Sequence, residues 1–165
     1  LGLVGSEMCI RDRVNASGHA VSLNANAGAI RDANNNAASN VNAQGVNLVA
    51  AGGIGQTGNA FDVNTQTLSG NGGTGGANLT STSTSALELA SLSVTQGNIA
   101  LAAAGDLNVN GAVSNAGAGN IALSGANINQ NANITTSGRG NVSVTGSGDV
   151  VICLLYTSPS PRDRG

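Results

Sequence analysis

The chain has 165 residues and a net charge of −2, and only 8% of its residues are charged and 1% aromatic. This scarcity of aromatic rings argues against an ordinary globular core, and the low charge argues against a typical disordered composition. The sequence also lacks a basic patch for nucleic acid and any apolar run of the roughly 18 residues that span a membrane.

The two ends differ in composition from the interior. Both prolines, both cysteines, the one tyrosine and the one methionine fall within residues 1–13 and 152–165. One inverted DNA repeat can encode both LVGSEMCIRD and CLLYTSPSPRD, and it resembles the transposase adapter used to build sequencing libraries. We therefore expect residues 1–13 and 152–165 to be translated adapter, which leaves residues 14–151 for the analysis of the fold. The exposed edge of a β-sheet can pair with a strand-like segment, such as residues 8–10 or 153–156.

The amino-terminal half of the interior predicts strands at two places. Residues 19–24 (HAVSLN) and 45–50 (GVNLVA) alternate apolar and polar side chains, which is the pattern of a half-buried strand. We expect both to be the opening strand of a coil, with Ile30 and Ile54 in the strands that follow.

Three low-complexity motifs come next. Residues 53–58 (GIGQTG) match the glycine pattern of a dinucleotide site, but the following stretch alternates like a strand, so we predict a turn. Residues 70–76 predict a flexible loop. Residues 72–80 partly match the calcium-binding nonapeptide, but Ala77 stands where the motif needs an aspartate, so we do not expect calcium binding there. Residues 80–85 (TSTSTS) predict a polar strand or a looser edge.

The carboxyl-terminal half contains a repeat. Residues 97–102 (GNIALA), 119–124 (GNIALS) and 140–145 (GNVSVT) begin 22 and then 21 residues apart. Each alternates apolar and small side chains, and further apolar residues follow at matching offsets. Because Gly, Asn and Ser fill the gaps as turns require, each repeat contains three short strands.

This period predicts that residues 14–151 are a β-helix repeat segment: an all-β fold, a parallel β-helix with about 21–22 residues and three short strands per coil. One coil cannot bury its own apolar row, whereas stacked coils bring equivalent side chains to about 4.8 Å. Repeated Asn residues at the turns can stack too, with each amide bonding to the next. We expect these aliphatic side chains to point inward as stacked columns: Ile99, Leu101, Leu107, Val113, Ile121, Leu123, Ile128, Ile134, Val142 and Val144.

Residues 97–151, and residues 50–70 (AAGGIGQTGNAFDVNTQTLSG), resemble the repeats of filamentous-haemagglutinin-type exoproteins. These are large bacterial adhesins exported by two-partner secretion or related autotransporter routes. The resemblance implies a structural stalk segment of a secreted or cell-surface protein, displaying binding regions that lie elsewhere. It also implies an outer-membrane transporter during export, and host-cell or bacterial surface ligands for the missing regions. It carries over no binding residue.

Two other functions fit the same fold. A polysaccharide-acting enzyme needs an acid, a base and a cation on one face, and residues 14–151 offer only His19 and a few scattered charges. We therefore expect no enzymatic activity, cofactor or catalytic residue, and interpret His19 as a strand residue. A surface-layer or ice-binding ladder would use Thr80, Thr82 and Thr84.

One acidic column is a candidate for weak cation binding. Asp106, Asn127 and Asp149 precede equivalent apolar residues, so we expect them to stack on one edge. The intervening Asn separates two carboxylates that would repel at about 5 Å. We expect a solvated turn without a metal ligand, and leave a weak cation site at Asp106 and Asp149 open.

Overall fold

The computed structural model describes residues 2–5, 8–10 and 13–153. All regular structure in that part of the chain is β-strand, and the strands stack in parallel as a solenoid of about six turns. The predicted all-β, parallel β-helix is therefore confirmed. Among the same residues, no helix has the length and hydropathy needed to cross a membrane.

All strands except β3, β5 and β9 are three to five residues long, as expected for a chain that turns about three times per coil. The first nine are β1 (Gly2–Gly5), β2 (Met8–Ile10), β3 (Val14–Ala25), β4 (Ile30–Asp32), β5 (Val41–Ala50), β6 (Phe61–Asn64), β7 (Thr67–Asn71), β8 (Ala77–Ser81) and β9 (Leu87–Val94). The remaining eight are β10 (Ile99–Ala103), β11 (Leu107–Val109), β12 (Val113–Asn115), β13 (Ile121–Gly125), β14 (Ile128–Gln130), β15 (Ile134–Thr136), β16 (Val142–Gly146) and β17 (Val150–Ile152).

Each full coil has three faces. The first face is formed by β6, β8, β10, β13 and β16. The second is formed by the start of β9 with β11, β14 and β17, and the third by the end of β9 with β12 and β15. The registers follow the sequence repeat: Ile99 pairs with Ile121 and Ile121 with Val142, while Leu107 pairs with Ile128.

The amino-terminal strands occupy faces other than the predicted one. Residues 20–25 do pair with residues 45–50, but β5 continues through β7 to β9. They therefore lie on the second and third faces, not on the opening strand. Ile30 and Ile54 instead share the first face with Ala77. Because the alternation of apolar residues is the same on every face, the pattern alone does not determine which face a strand occupies.

Two inserted segments interrupt the first face in the early coils. Residues 33–39 follow β4, and residues 55–60 separate Ile54 from β6. The second insertion contains the turn predicted from the glycine pattern. There the backbones of Gln56 and Asn59 exchange hydrogen bonds of 2.9 and 3.0 Å, and Gly55 has a φ of 63°, a conformation that favours glycine.

The glycine-rich residues 70–76 do not form the predicted flexible loop. Gly70 and Asn71 end β7, and the rest form a turn packed on the preceding coil. A Cβ added at Gly75 would lie 1.9 Å from the carbonyl oxygen of Gly52. Glycine here permits close approach of two backbones, a role that composition does not distinguish from flexibility. In the TSTSTS stretch, β8 ends at Ser81 and residues 82–85 lie beyond it.

The core is a continuous set of aliphatic columns. It extends from Val21 through Leu48, Leu79 and Leu101 to Ile128, all of them buried. Phe61 is the one large ring in the described core and is fully buried. Stacked aliphatic side chains replace the aromatic packing of an ordinary globular domain, which accounts for the composition.

Strands near both ends add to the stack. β1 pairs with β3, and β2 pairs with β4, so residues 8–10 form an additional rung. At the other end the backbone N–H of Cys153 donates to the oxygen of Gln130 at 2.9 Å; the other residues of 153–156 lie outside the described residues. That residues 1–13 and 152–165 are translated adapter stays a prediction.

Candidate functional site

Seven of the ten predicted column residues are buried. They come from the first, second and third faces of two neighbouring coils: Ile99, Leu101, Leu107, Val113, Ile121, Leu123 and Ile128. Each stacks on its equivalent in the next coil, because parallel pairing aligns them one above another. Burial of one such aliphatic side chain stabilises the fold by about 1.5–3 kcal/mol.

The other three column residues lie in the last described coils and are less buried. Ile134 and Val144 are half-buried and pack against the core. Val142 was predicted to point inward in the column of Ile121, and its side chain is 45% exposed. It pairs with Ile121 on one side, and the structure describes no strand on its other side. A coil with one neighbour covers only one side of its apolar row.

A column of asparagines stands at the turn before the first face. Asn98 Oδ1 accepts from the backbone N–H of Asn120 at 2.9 Å, and Asn120 Oδ1 accepts from the backbone N–H of Asn141 at 2.8 Å. The amide side chain thus caps the start of the next coil's strand. This explains the repeated Gly-Asn without any chemical role.

The acidic column at the next turn has the same geometry. Asp106 Oδ1 accepts from both the backbone N–H and Nδ2 of Asn127, at 3.0 and 2.9 Å. Asn127 Oδ1 then accepts from the backbone N–H of Asp149 at 2.9 Å. Asn127 therefore stands between the carboxylates of Asp106 and Asp149, as its position in the repeat predicted. These contacts assign the column a capping role.

Glu88 lies at the start of two columns of hydrogen-bonded asparagine side chains on the second face. Its Oε1 accepts from Asn108 Nδ2 at 2.7 Å, and its Oε2 accepts from Asn110 Nδ2. The columns continue in the next coil, where Asn129 donates to Asn108 and Asn131 donates to Asn110 at 2.9 and 2.8 Å. Charge-assisted bonds such as those to Glu88 are stronger than neutral ones.

A buried polar cluster lies where the inserted segments meet the first face. Asp32 and Asp62 are each 6% exposed, and Asn40 between them is 2% exposed. Asp32 Oδ1 accepts from Asn40 Nδ2 at 2.8 Å, and Asn40 Oδ1 accepts from the backbone N–H of Asp62 at 2.9 Å. We call this chain of bonds the Asp32–Asn40–Asp62 relay. Asp32 Oδ2 is buried and has no hydrogen-bond partner.

Burial raises the pKa of the Asp62 carboxyl above its usual range. A hydrogen bond from Thr80 opposes this rise, and the charge of Asp32 adds to it. Loss of water around a carboxylate disfavours its charged form, and a like charge nearby acts in the same direction. Asp62 is therefore easier to protonate in the fold than in the unfolded chain.

Sequence reasoning did not predict this cluster. An aspartate next to an aliphatic residue in a repeat is typical of a solvated turn, and the sequence singles out Asp32 only as the neighbour of Arg31. The available signal was the spacing. The next strand begins 11 positions after Ile30 but only 8 after Ile99 and 7 after Ile121, which marks the first insertion.

The described residues hold no group of three or more His, Cys, Asp or Glu side chains that could bind a metal ion. His19 is exposed on β3, with Nδ1 3.2 Å from the carbonyl oxygen of Ser17. A surface groove of about 380 Å³ is lined by uncharged polar residues, among them Asn42, Gln44 and Gln66. Such a lining can form hydrogen bonds but offers no ionisable group.

No protein-family model, curated protein or solved structure matches this chain. Its function is therefore inferred from the fold, the arrangement of the side chains and the character of the repeats.

Proposed function

We propose that residues 14–151 are a stalk segment of a large secreted or cell-surface bacterial exoprotein of the filamentous-haemagglutinin type. The observation that supports this is the stack of parallel strands on the first face, from β6 to β16, in which each coil repeats the contacts of the one before it. About six coils at 4.8 Å per coil make a rod about 30 Å long. Its role is to space or display binding regions located elsewhere.

The physical design suits a spacer. In a solenoid each coil contacts only its neighbours, so length grows by a fixed amount per coil and no distant contact has to be preserved. The amide columns of Asn98 and Glu88 tie adjacent coils together on the outside, and the aliphatic columns do so inside.

The same proposal includes export and partners. Residues 14–151 contain no cysteine, so no disulfide would hinder passage through an outer-membrane transporter. Host-cell or bacterial surface ligands would contact regions other than this segment. The resemblance of the repeats to filamentous-haemagglutinin-type exoproteins supports these steps.

Deletion of one complete coil tests the stalk. Removing residues 99–120, which spans the 22 positions between equivalent asparagines, should leave a folded chain. Small-angle scattering should show it shorter by about 4.8 Å, the spacing of adjacent strands. Removing residues 99–109 instead should lower the β-sheet circular dichroism well below that of the whole-coil deletion, because half a coil puts every later column out of register while the earlier coils stay folded.

Three results would contradict the stalk. The half-coil deletion could fold as well as the whole-coil deletion. The full chain could cleave a glycan with an activity lost on His19→Ala, which would favour an enzyme. It could also produce thermal hysteresis that falls on replacing Thr80, Thr82 and Thr84, which would favour an ice-binding ladder.

A further inference from the structure

Two buried carboxylates lie on the first face beside the two insertions. Asp32 ends β4, and Asp62 lies in β6 between the buried Phe61 and Val63. Asn40, which follows the first insertion, exchanges two hydrogen bonds with Asp62: its backbone N–H donates to the Asp62 carbonyl oxygen at 2.8 Å, and its Oδ1 accepts from the Asp62 backbone N–H at 2.9 Å. Asp62 is paired in the strand register with Thr80, a half-buried residue of the next coil.

The relay also ties both insertions to the stack. Asp32 Oδ1 accepts from the backbone N–H of Asn34 at 2.9 Å, in the first insertion. Asn59 Nδ2, in the second insertion, donates to the carbonyl oxygen of Asp32 at 2.9 Å. Opening of either insertion therefore breaks a bond to Asp32, the residue whose charge acts on Asp62.

Two cations lie near the relay in the part of the chain that the structure describes, Arg31 and Arg13, and Arg13 Nε donates to the carbonyl oxygen of Ser39 in the first insertion at 3.2 Å. β5 and β8, which pair with β6, contain no ionisable side chain. β4 contributes Asp32 and Arg31, and Arg31 Nη1 donates to Gln56 Oε1 at 2.7 Å. The side chains of β2, which pairs with β4, are not described; its one ionisable residue is Cys9.

We propose that the Asp32–Asn40–Asp62 relay is a pH-sensitive clasp that holds residues 33–39 and 55–60 against the solenoid more tightly in acid than at neutral pH. Protonation of Asp62 removes the cost of a buried charge and its repulsion by Asp32. This clasp rests on the fold and is independent of the proposed stalk.

The direction of the pH effect follows from the linkage between protonation and folding. An aspartate with a raised pKa in the fold contributes most stability below its unfolded pKa of about 3.9. That contribution is lost as pH rises through the higher pKa of the folded state. The clasp should therefore be tightest near pH 4 and loosest at neutral pH.

Hydrogen exchange of the full chain tests the clasp. After correction for the intrinsic pH dependence of exchange, protection of residues 33–39 and 55–60 should fall severalfold between pH 4 and pH 7, because the pKa of Asp62 is raised in the fold. Protection in β10–β12 should not fall with it and serves as the internal control. In Asp62→Asn the two insertions should be equally protected at both pH values.

A second variant separates the two causes of the raised pKa of Asp62, burial and the charge of Asp32. Asp32→Asn keeps an oxygen for Asn34 and Asn40 but removes the repulsion, so it should reduce the pH dependence without abolishing it, because burial is the larger cause. The clasp is refuted if the wild-type insertions show the same protection at both pH values. It is also refuted if Asp62→Asn, folded by circular dichroism, keeps the wild-type dependence.

Discussion

At the scale of single residues, Ile121 and Asn120 are neighbours with opposite environments. Ile121 is fully buried between Ile99 and Val142 on the first face. Asn120 is exposed, and its side chain accepts one hydrogen bond from the next coil. Adjacent strand positions point to opposite sides, so the same substitution should have very different effects at the two.

Ile121→Asp should lower the free energy of unfolding by several kcal/mol, because it buries a carboxylate among aliphatic side chains. Asn120→Asp should cost much less, since its carboxylate oxygen can still accept from Asn141. Urea unfolding of the full chain, followed by circular dichroism, measures both. Equal losses would mean that Ile121 does not face the core.

Glu88 and Asp106 differ in how many of their oxygens bind amides. Both Glu88 oxygens accept from asparagines, so Glu88→Gln should set an N–H against an amide donor and cost about 1–3 kcal/mol of unfolding free energy. Asp106 uses Oδ1 alone, so Asp106→Asn should cost less. The midpoints of urea unfolding of the two variants measure this difference. A smaller loss for Glu88→Gln than for Asp106→Asn would contradict the described columns.

At the scale of elements, turns are as tightly specified as strands. Residues 70–76 comprise the end of β7 and the turn that leads to β8, and the backbone of this turn contacts the preceding coil. A turn built from bulkier residues would have to project outward from the stack. Glycine at Gly75 allows the chain to pass over Gly52 at backbone contact distance.

Gly75→Ala and Gly45→Ala test this contact with the same chemical change. An added Cβ at Gly45 would lie 3.7 Å from Ala20 Cβ, an ordinary contact. Gly45→Ala should therefore be neutral or stabilise by about 0.4–1 kcal/mol through the unfolded chain. Gly75→Ala should destabilise by about 1–3 kcal/mol, because backbone must shift. Thermal unfolding of both variants measures the difference, and equal midpoints would refute a packed turn.

At the scale of the whole molecule, stability depends on position along the rod. A middle coil has a neighbour on each side, whereas the last described coil, with β16 and β17, pairs only with β13 and β14. Solenoid stability is close to a sum over coils and their interfaces. A substitution should therefore cost less in a coil with one described interface.

Val142→Asp should destabilise the chain much less than Ile121→Asp, although both lie in one column. A carboxylate at the partly exposed Val142 can reach water, and one at Ile121 cannot. Urea unfolding gives the comparison, and hydrogen exchange should show Val142→Asp loosening only β16 and its immediate partner. Similar losses at both positions would indicate a further rung over Val142.

The sequence by itself determined the coil. The matched spacing of Ile99, Ile121 and Val142, with period-two alternation around them, specifies strands, period and inward face, because each depends on neighbouring positions in the chain. Only the tertiary structure decided which face the strands of residues 20–25 and 45–50 occupy, since all faces share one pattern. It also decided the burial of Asp32 and Asp62. Two inserted segments bond to Asp32, and the packing of such segments depends on contacts between coils rather than on any local pattern.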